Sequence, residues 1–409
     1  MDSKKHILII AQVFYPEAFR INDMALEWKK RGYKVTVVTG IPNYPQGEFY
    51  PGYGYTKKRK EIWNGIEINR IPLIPRGHSS IGMILNYYSF VVSGWFWKMT
   101  TKIKADLVFS FETSPMTQVK IGCWYAKKNK IPHFLYAQDL WPENVEEILG
   151  IHNRLIIGPI DRMVDKIYKQ VDQLFVPSPS FVEAVVNRKK PVDRNKVHYW
   201  PQYAEEFYRP VEKTIIPEIG NDNSFKIAFT GNIGYAQGLD ILPKTAQLLT
   251  DDNVKFVIVG DGRYREEFEK EIKDKNVESK FILISRQPAE RIPEILSACD
   301  AGFISFSKSA LWEKTIPAKL QSYMACGKAI IASASGETKR IIDEAQCGIC
   351  CEIGDAVALS DGIKQLKKLN TKELENNSLL YFEKHFTKSL LMDEMDKYFK
   401  EIDFENPYD

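Results

Sequence analysis

Short apolar runs of strand length alternate with stretches of helical period along the whole of this 409-residue chain. That alternation calls for parallel sheets covered by helices, because two parallel neighbours need a crossover long enough to hold a helix. In the first half, strands are expected near Ile7 to Gln12, Lys34 to Thr39, Asp106 to Ser110, Pro132 to Ala137 and Leu174 to Pro177, with helical segments such as Ile21 to Lys30 between them. The second half repeats the rhythm near Phe225 to Phe229, Lys255 to Val259, Phe281 to Ile284, Ala301 to Phe306, Ala329 to Ala332 and Gly348 to Cys351.

The chain is too long for one ordinary core and suits two domains. His198 to Pro210 and the following Val211 to Ser224 are rich in proline, acidic and aromatic residues without a sustained period, and the hinge is placed there. The expected division is 1–205 and 206–385, with a helix in 386–409 packing back on the first domain. Two doubly wound α/β domains facing each other would leave a cleft lined by the carboxyl ends of both sheets.

The segment from Thr230 to Asp240, directly after the run Phe225 to Phe229, places Gly231, Gly234 and Gly238 at a strand-to-helix junction. Glycines there let backbone amides approach an anion, and a following helix adds its positive amino end. Taken singly, such a turn also serves as a plain tight bend. It has company in Gly260-Asp261-Gly262 after a second strand, and in Thr315 to Lys328 before a third. A phosphate-bearing ligand is the natural guest, and it belongs mainly to the second half.

With 56 basic and 53 acidic side chains the formal charge is +3, and nothing global suggests nucleic acid. Cys123, Cys299, Cys326, Cys347, Cys350 and Cys351 lack a disulfide-framework spacing, and Cys347-x-x-Cys350 has no second pair to complete a zinc site. Reduced thiols and no metal are expected. Met1 to Lys5 runs straight into an apolar run too short for a secretory core, so export is not expected.

On these residues the chain resembles the family 4 glycosyltransferases of the GT-B fold, which use nucleotide sugars and retain anomeric configuration. The likeness rests on the Phe14-Tyr15-Pro16-Glu17 loop, Gly231 to Gly234, Val259 to Gly262, Ala298-Cys299-Asp300 and Pro317 to Gly327. Asp139 to Glu143, Gly238 to Asp240 and Pro317 to Met324 look most like bacterial enzymes of O-antigen, capsule and exopolysaccharide assembly, including N-acetylfucosamine transferases acting on lipid-linked precursors. The resemblance implies a UDP-sugar donor, a polyprenyl-diphosphate-linked acceptor and no metal cofactor.

Two departures stand out. The family's Glu-x7-Glu pair would fall on Lys314 and Ser322, and its Arg/Lys pair in the glycine loop would fall on Asn232 and Gln237. A departing diphosphate needs positive charge or donors aimed at it. Candidates are Lys319, Lys314, Arg286 and Arg263, with the amides of Ile233 and Gly234. Lys319 is favoured, since it follows Pro317 near a helix start; an exposed surface lysine is the alternative. Glu313 could bind sugar hydroxyls, Ser322 could reach a ribose hydroxyl, and Asp261 is read as a turn-former as readily as a ligand group.

In the first domain, the resemblance implies a polar group close to the reacting sugar near Asp139, which is therefore favoured over Glu112 and Glu143. It could orient or deprotonate the acceptor hydroxyl, or cap the segment that follows. Retaining members of the resembled family are thought to react on one face of the sugar, where the donor phosphate itself can accept the proton. Glu17 and Arg20 complete the acceptor-side set, Arg20 by offering a fork of donors.

Ile81 to Trp97 contains no charged residue and is flanked by Lys57 to Lys60 and by Lys98, Lys102 and Lys104. Three readings stay open: a buried helix, a segment lying in the membrane interface, and a span. The aromatic-plus-lysine flank Trp95 to Lys104 favours the interface, which would make the protein cytoplasmic and peripheral on the inner face of the bacterial membrane. A nucleotide-sugar epimerase and a non-catalytic assembly subunit are the competing functions.

Overall fold

A computed structural model describes residues 5–250 and 252–401. The chain divides into two compact units. The first holds the chain up to Pro177, Phe181–Trp200 and the part from Asp396 onward, and the second holds Ser178–Ser180 and Pro201–Met395.

The first unit is built on an eight-stranded sheet. Its strands are β1 (His6–Ile10), β2 (Lys34–Gly40), β3 (Lys60–Trp63), β4 (Ile66–Ile71), β5 (Leu107–Glu112), β6 (His133–Ala137), β7 (Gln173–Val176) and β8 (Val197–Tyr199), in the order β3-β4-β2-β1-β5-β6-β7-β8. All neighbours are parallel except the hairpin β3/β4. That hairpin is absent from the sequence expectation, although Asn64 and Gly65 carry it at φ 48° and 74°, the paired positive φ of a two-residue turn. β8 likewise falls inside the segment read as a hinge. The division comes at Trp200, one residue past the sheet's last strand, where the sequence expectation is 205.

The second unit carries β9 (Phe225–Asn232), β10 (Val254–Asp261), β11 (Phe281–Ile284), β12 (Ala301–Ser305), β13 (Ala329–Ser333) and β14 (Gly348–Cys351) in the order β11-β10-β9-β12-β13-β14. Every pair is parallel. The strand order reverses beside β1 in one sheet and beside β9 in the other, the switch points at which open α/β sheets accept ligands outside the carboxyl ends of their strands.

Helix α1 (Arg20–Lys30) follows β1, and α2 (Ser80–Thr100) precedes β5. The first turn of α2 is capped by Ser79, whose Oγ accepts from Gly82 N at 3.0 Å. Its inner side buries Asn86, Phe90, Val91 and Gly94. Gly94 lets α2 close on α3 (Val119–Asn129), since a Cβ there would stand 2.2 Å from Ile121 Cδ1. Buried Asn86 is satisfied by Gln12 Nε2 at 2.7 Å and by Ile74 O at 2.6 Å. The outer side is exposed along its length, Ile81 at 72% and Phe96 at 59%. This corrects the buried-helix reading: the seam on α3 and the sheet is one stripe wide. No helix among the described residues is long and apolar enough to cross a membrane.

The helix Lys388–Glu401 supplies Phe399 to the core of the first unit, against Trp28, Phe109 and Phe134 at 5.6, 6.4 and 5.6 Å between ring centres. Membership of the first unit starts at Asp396, ten residues later than expected, because Leu391, Met392 and Met395 sit in the second unit. Residues 402–409 of the expected C-terminal helix lie outside the described residues.

Candidate functional site

In the second unit the candidate residues gather on loops at the carboxyl edge of β9, β10, β11 and β12. Gly231 and Gly260 face each other as partners in the β9/β10 ladder, at φ 134° and 150°, where side chains are strained. The amide of Ile233 donates to Asp261 O at 2.8 Å and that of Tyr264 to Ile233 O at 3.1 Å, so the two bends are stitched into one platform. Gly262 is pressed against the same platform, since a Cβ on it would meet Ile233 O at 2.2 Å. Asp261 Oδ1 accepts from Gly262 N at 2.8 Å, the local turn bond its position invites. Asn232 is exposed above the platform, with Nδ2 close enough to Gly234 to meet a Cβ at 2.8 Å.

Lys319 lies two residues after Pro317, the N-cap residue of the helix Ala318–Ala325. Its ammonium donates to Gln237 Oε1 and sits 4.6 Å above the Phe229 ring. A Cβ on Gly231 would fall 2.9 Å from Lys319 Cε, so the lysine stem runs beneath the glycine bend. Desolvation lowers its pKa to about 8. The helix is fastened to β9 by Tyr323, whose hydroxyl accepts from Thr230 N at 2.8 Å. Gln237, the position at which the resemblance leads one to expect a cation, thus receives one from another element.

The remaining candidates are placed as follows. Arg263 and Arg286 are exposed, one on the β10 bend and one just after β11. Glu313 ends the helix Ala310–Glu313 with its side chain exposed, and Lys314 is that helix's C-cap residue. Ser322 is corrected: it is 8% exposed and turns its hydroxyl back onto Ala318 O at 3.0 Å, the usual fate of a serine inside a helix. Sequence reading missed Arg265, whose guanidinium donates to Gly260 O and to Ile284 O and so ties the β10 bend to β11. No short motif marks it.

In the first unit the corresponding loops follow β1, β5 and β6. Glu17 is 2% exposed, and its carboxylate accepts from the amides of Asn43, Tyr44 and Phe14 at 2.9, 2.7 and 3.3 Å. Burial raises its pKa to about 7 against the pull of those donors. Glu17 therefore clamps two loops together, a correction to its reading as an acceptor-side group. Arg20 opens α1 half-buried, its charge felt at the Tyr136 hydroxyl.

Asp139 Oδ2 accepts from both Ser114 N, at 2.8 Å, and Ser114 Oγ, at 2.7 Å, fixing the β5 loop against the β6 loop. Its own amide points at Glu112 Oε2 at 3.4 Å. Glu112 is fully buried at the end of β5, and burial together with the charge of Asp139 holds its carboxyl well above the usual range. Glu112 Oε1 and Glu143 Oε2 are buried oxygens without a hydrogen-bond partner. Among the described residues no cluster of three or more His, Cys, Asp or Glu is arranged to hold a metal ion.

Comparison with known proteins agrees in both halves. Residues 18–202 match the glycosyl transferase 4-like domain, and residues 211–378 match the glycosyl transferases group 1 family. The chain belongs to the glycosyltransferases of the GT-B fold. It is 26% identical over 368 residues, 85% of this chain and 88% of its relative, to WcaI of Escherichia coli, assigned as a colanic acid biosynthesis glycosyl transferase. It is also 26% identical over 322 residues to WbjE of Pseudomonas aeruginosa, assigned as a glycosyltransferase, covering 75% of each. In fold it is similar to sucrose-phosphate synthase from Thermosynechococcus elongatus, at a TM-score of 0.76 and 14% identity over 97% of this chain and 98% of that one. HepE from Anabaena, crystallised with UDP and glucose, aligns at a TM-score of 0.69 and 13% identity over 98% and 100%.

Proposed function

We propose that the enzyme transfers an N-acetylated hexosamine or deoxyhexosamine, such as N-acetylfucosamine, from its UDP conjugate to a polyprenyl-diphosphate-linked saccharide, with retention, in bacterial surface polysaccharide synthesis. The observation that carries this reading is the ammonium of Lys319, held at the Gly231 bend by Gln237 and Phe229. A cation already in place beside the stitched glycine bends meets the charge that grows on a departing diphosphate without reorganising at the moment of reaction. Further support comes from HepE, which was crystallised with UDP-glucose, and from the colanic acid assignment of WcaI.

In this reading the second unit grips the nucleotide and the first presents the acceptor alcohol near Asp139. Asp139 orients that alcohol, and the donor phosphate takes its proton as the new glycosidic bond forms on the face the leaving group vacates. Lys319 and the Gly234 amide meet the diphosphate charge, the Ile233 amide being spent on Asp261 O at 2.8 Å, so the proposed reaction proceeds without a divalent metal. The attached lipid keeps the enzyme at the inner membrane surface through the 81–104 region.

Purified protein incubated with a panel of UDP-sugars, with and without a lipid-linked acceptor, tests this. Acceptor-dependent UDP release, undiminished by EDTA and giving a product of unchanged anomeric configuration, is expected. Isomerised sugar nucleotide without acceptor would make the protein an epimerase, and binding without turnover would make it an assembly subunit.

A further inference from the structure

The outward side of α2 carries Ile81, Ile84, Tyr88, Val92, Phe96 and Met99, each between 50% and 72% exposed. Steps of three and four residues put them in one stripe along a 21-residue helix, roughly 30 Å at 1.5 Å per residue. A continuous apolar surface of that length on a folded chain marks an interaction site. The opposite side of α2 is committed to α3 and the sheet through Phe90, Val91 and Gly94, so the helix is held flat on the unit with its stripe outward.

At the carboxyl end of α2 lies a hollow of about 700 Å³ lined by Lys34, Lys60, Lys102 and Lys104, with Trp97 in its wall and Glu67 as the single acidic lining residue among the described residues. It opens at the amino ends of β1 and β2, on the edge of the sheet away from the Glu17 and Asp139 loops. Four ammonium groups at one end of an apolar stripe fit a surface that is apolar inside and anionic at its boundary. A second copy of the same chain offers that hollow no matching anion on the stripe itself, whose exposed residues Ile81, Ile84, Tyr88, Val92, Phe96 and Met99 are all uncharged.

We infer that α2 is a bilayer-docking helix whose stripe seats among lipid acyl chains while the lysine hollow takes the phosphate of an anionic phospholipid. This rests on the proposed lipid-linked acceptor. It deepens that reading by assigning the membrane side of the first unit and a headgroup site separate from the catalytic loops. Buried Asn86 bonds Gln12 and Ile74 on the inner side of the same helix, so the docked stripe starts next to the loops that would receive the acceptor.

The test is co-sedimentation of the full chain with phosphatidylcholine vesicles, and with vesicles in which about a third of the lipid is phosphatidylglycerol. Wild type is expected to partition onto the anionic vesicles, more strongly at low salt. A variant combining Lys34→Gln, Lys60→Gln, Lys102→Gln and Lys104→Gln should partition at least roughly tenfold more weakly, since each lysine near such a surface contributes about fivefold. A second variant, Ile84→Ser with Val92→Ser and Phe96→Ser, should lose attachment to both vesicle types. Undiminished binding by the lysine variant, equal wild-type binding to neutral and anionic vesicles, or a wild-type dimer that the serine variant dissociates in place of vesicle binding would each overturn the proposal. UDP binding by the same samples controls for folding and tests the transferase reading separately. Vesicle attachment without UDP binding ends that reading alone, and UDP binding without attachment ends this one.

Discussion

A methyl group placed on Gly260 would lie 1.8 Å from the carbonyl oxygen of Gly231, its partner across the β9/β10 ladder. Gly260 also holds φ at 150°. Gly260→Ala therefore forces the two bends apart and should cost at least about 2 kcal/mol of stability, from clash and backbone strain together. UDP affinity should fall by more than tenfold. Urea unfolding and titration calorimetry check both, and a variant with wild-type values would remove the platform from the site.

Lys319 loses its proton near pH 8 in the free enzyme, and a bound diphosphate would hold that proton on. Affinity for UDP should thus be level below about pH 8 and weaken above it, by up to tenfold per pH unit until the complex itself titrates. Lys319→Met should abolish this decline and lower affinity at pH 7. Stability of the unliganded protein runs the other way. The ordinary lysine value is 10.5, so between about 8 and 10.5 the unfolded chain holds a proton that the folded one lacks, and this group makes the fold more stable as pH rises. Calorimetry from pH 7 to 9.5 reads the first effect and thermal melting reads the second.

Burial and the Asp139 charge raise the Glu112 carboxyl well above the usual carboxylate range. A carboxyl raised in this way binds its proton more tightly folded than unfolded, so its contribution to stability declines as pH rises from the ordinary value toward the folded one. Glu112→Gln mimics the protonated acid and should melt higher than wild type at pH 8, with kcat within about twofold. Asp139→Asn keeps an acceptor for Ser114 but loses the charge. It should lower kcat roughly tenfold to a hundredfold with donor Kd nearly unchanged. Parallel losses in kcat and Kd would mean that Asp139 only holds the Ser114 loop.

Removing the Glu17 carboxylate strands the amides of Asn43, Tyr44 and Phe14. Glu17→Ala should cost about 2 to 4 kcal/mol, and Glu17→Gln clearly less, since its remaining oxygen still accepts. Chemical denaturation of the full chain measures the difference. Equal costs would show that the clamp depends on charge rather than on an acceptor.

The parallel sheets and the glycine bends were legible in the sequence because both rest on local rules: strand-length apolar runs, and glycine where backbone must come close. The β3/β4 hairpin is legible too, in Trp63-Asn64-Gly65-Ile66, although its four-residue first strand is hard to tell from the basic run Lys57 to Lys60 that leads into it. Which side of α2 packs inward could not be read, because residues on both sides of the helix are apolar and periodicity then carries no direction. Gln237 looked like the loss of a cation. Only the folded chain brings Lys319 to it from 82 residues away. Ser322 and Glu17 were credited with ligands for the same reason, since which neighbours occupy an oxygen is a property of three dimensions.

Phe399 fills the space between Trp28, Phe109 and Phe134, side chains that leave the ribosome hundreds of residues earlier. At about 5 to 20 residues per second, the N-terminal unit waits on the order of ten seconds or more after its last strand before its aromatic interior can close. During that interval its half-built centre faces solvent, and a ribosome stalled short of Asp396 would hold out an unsealed domain. Nascent chains arrested there should recruit chaperones and be cut by protease far more readily than chains arrested after residue 401.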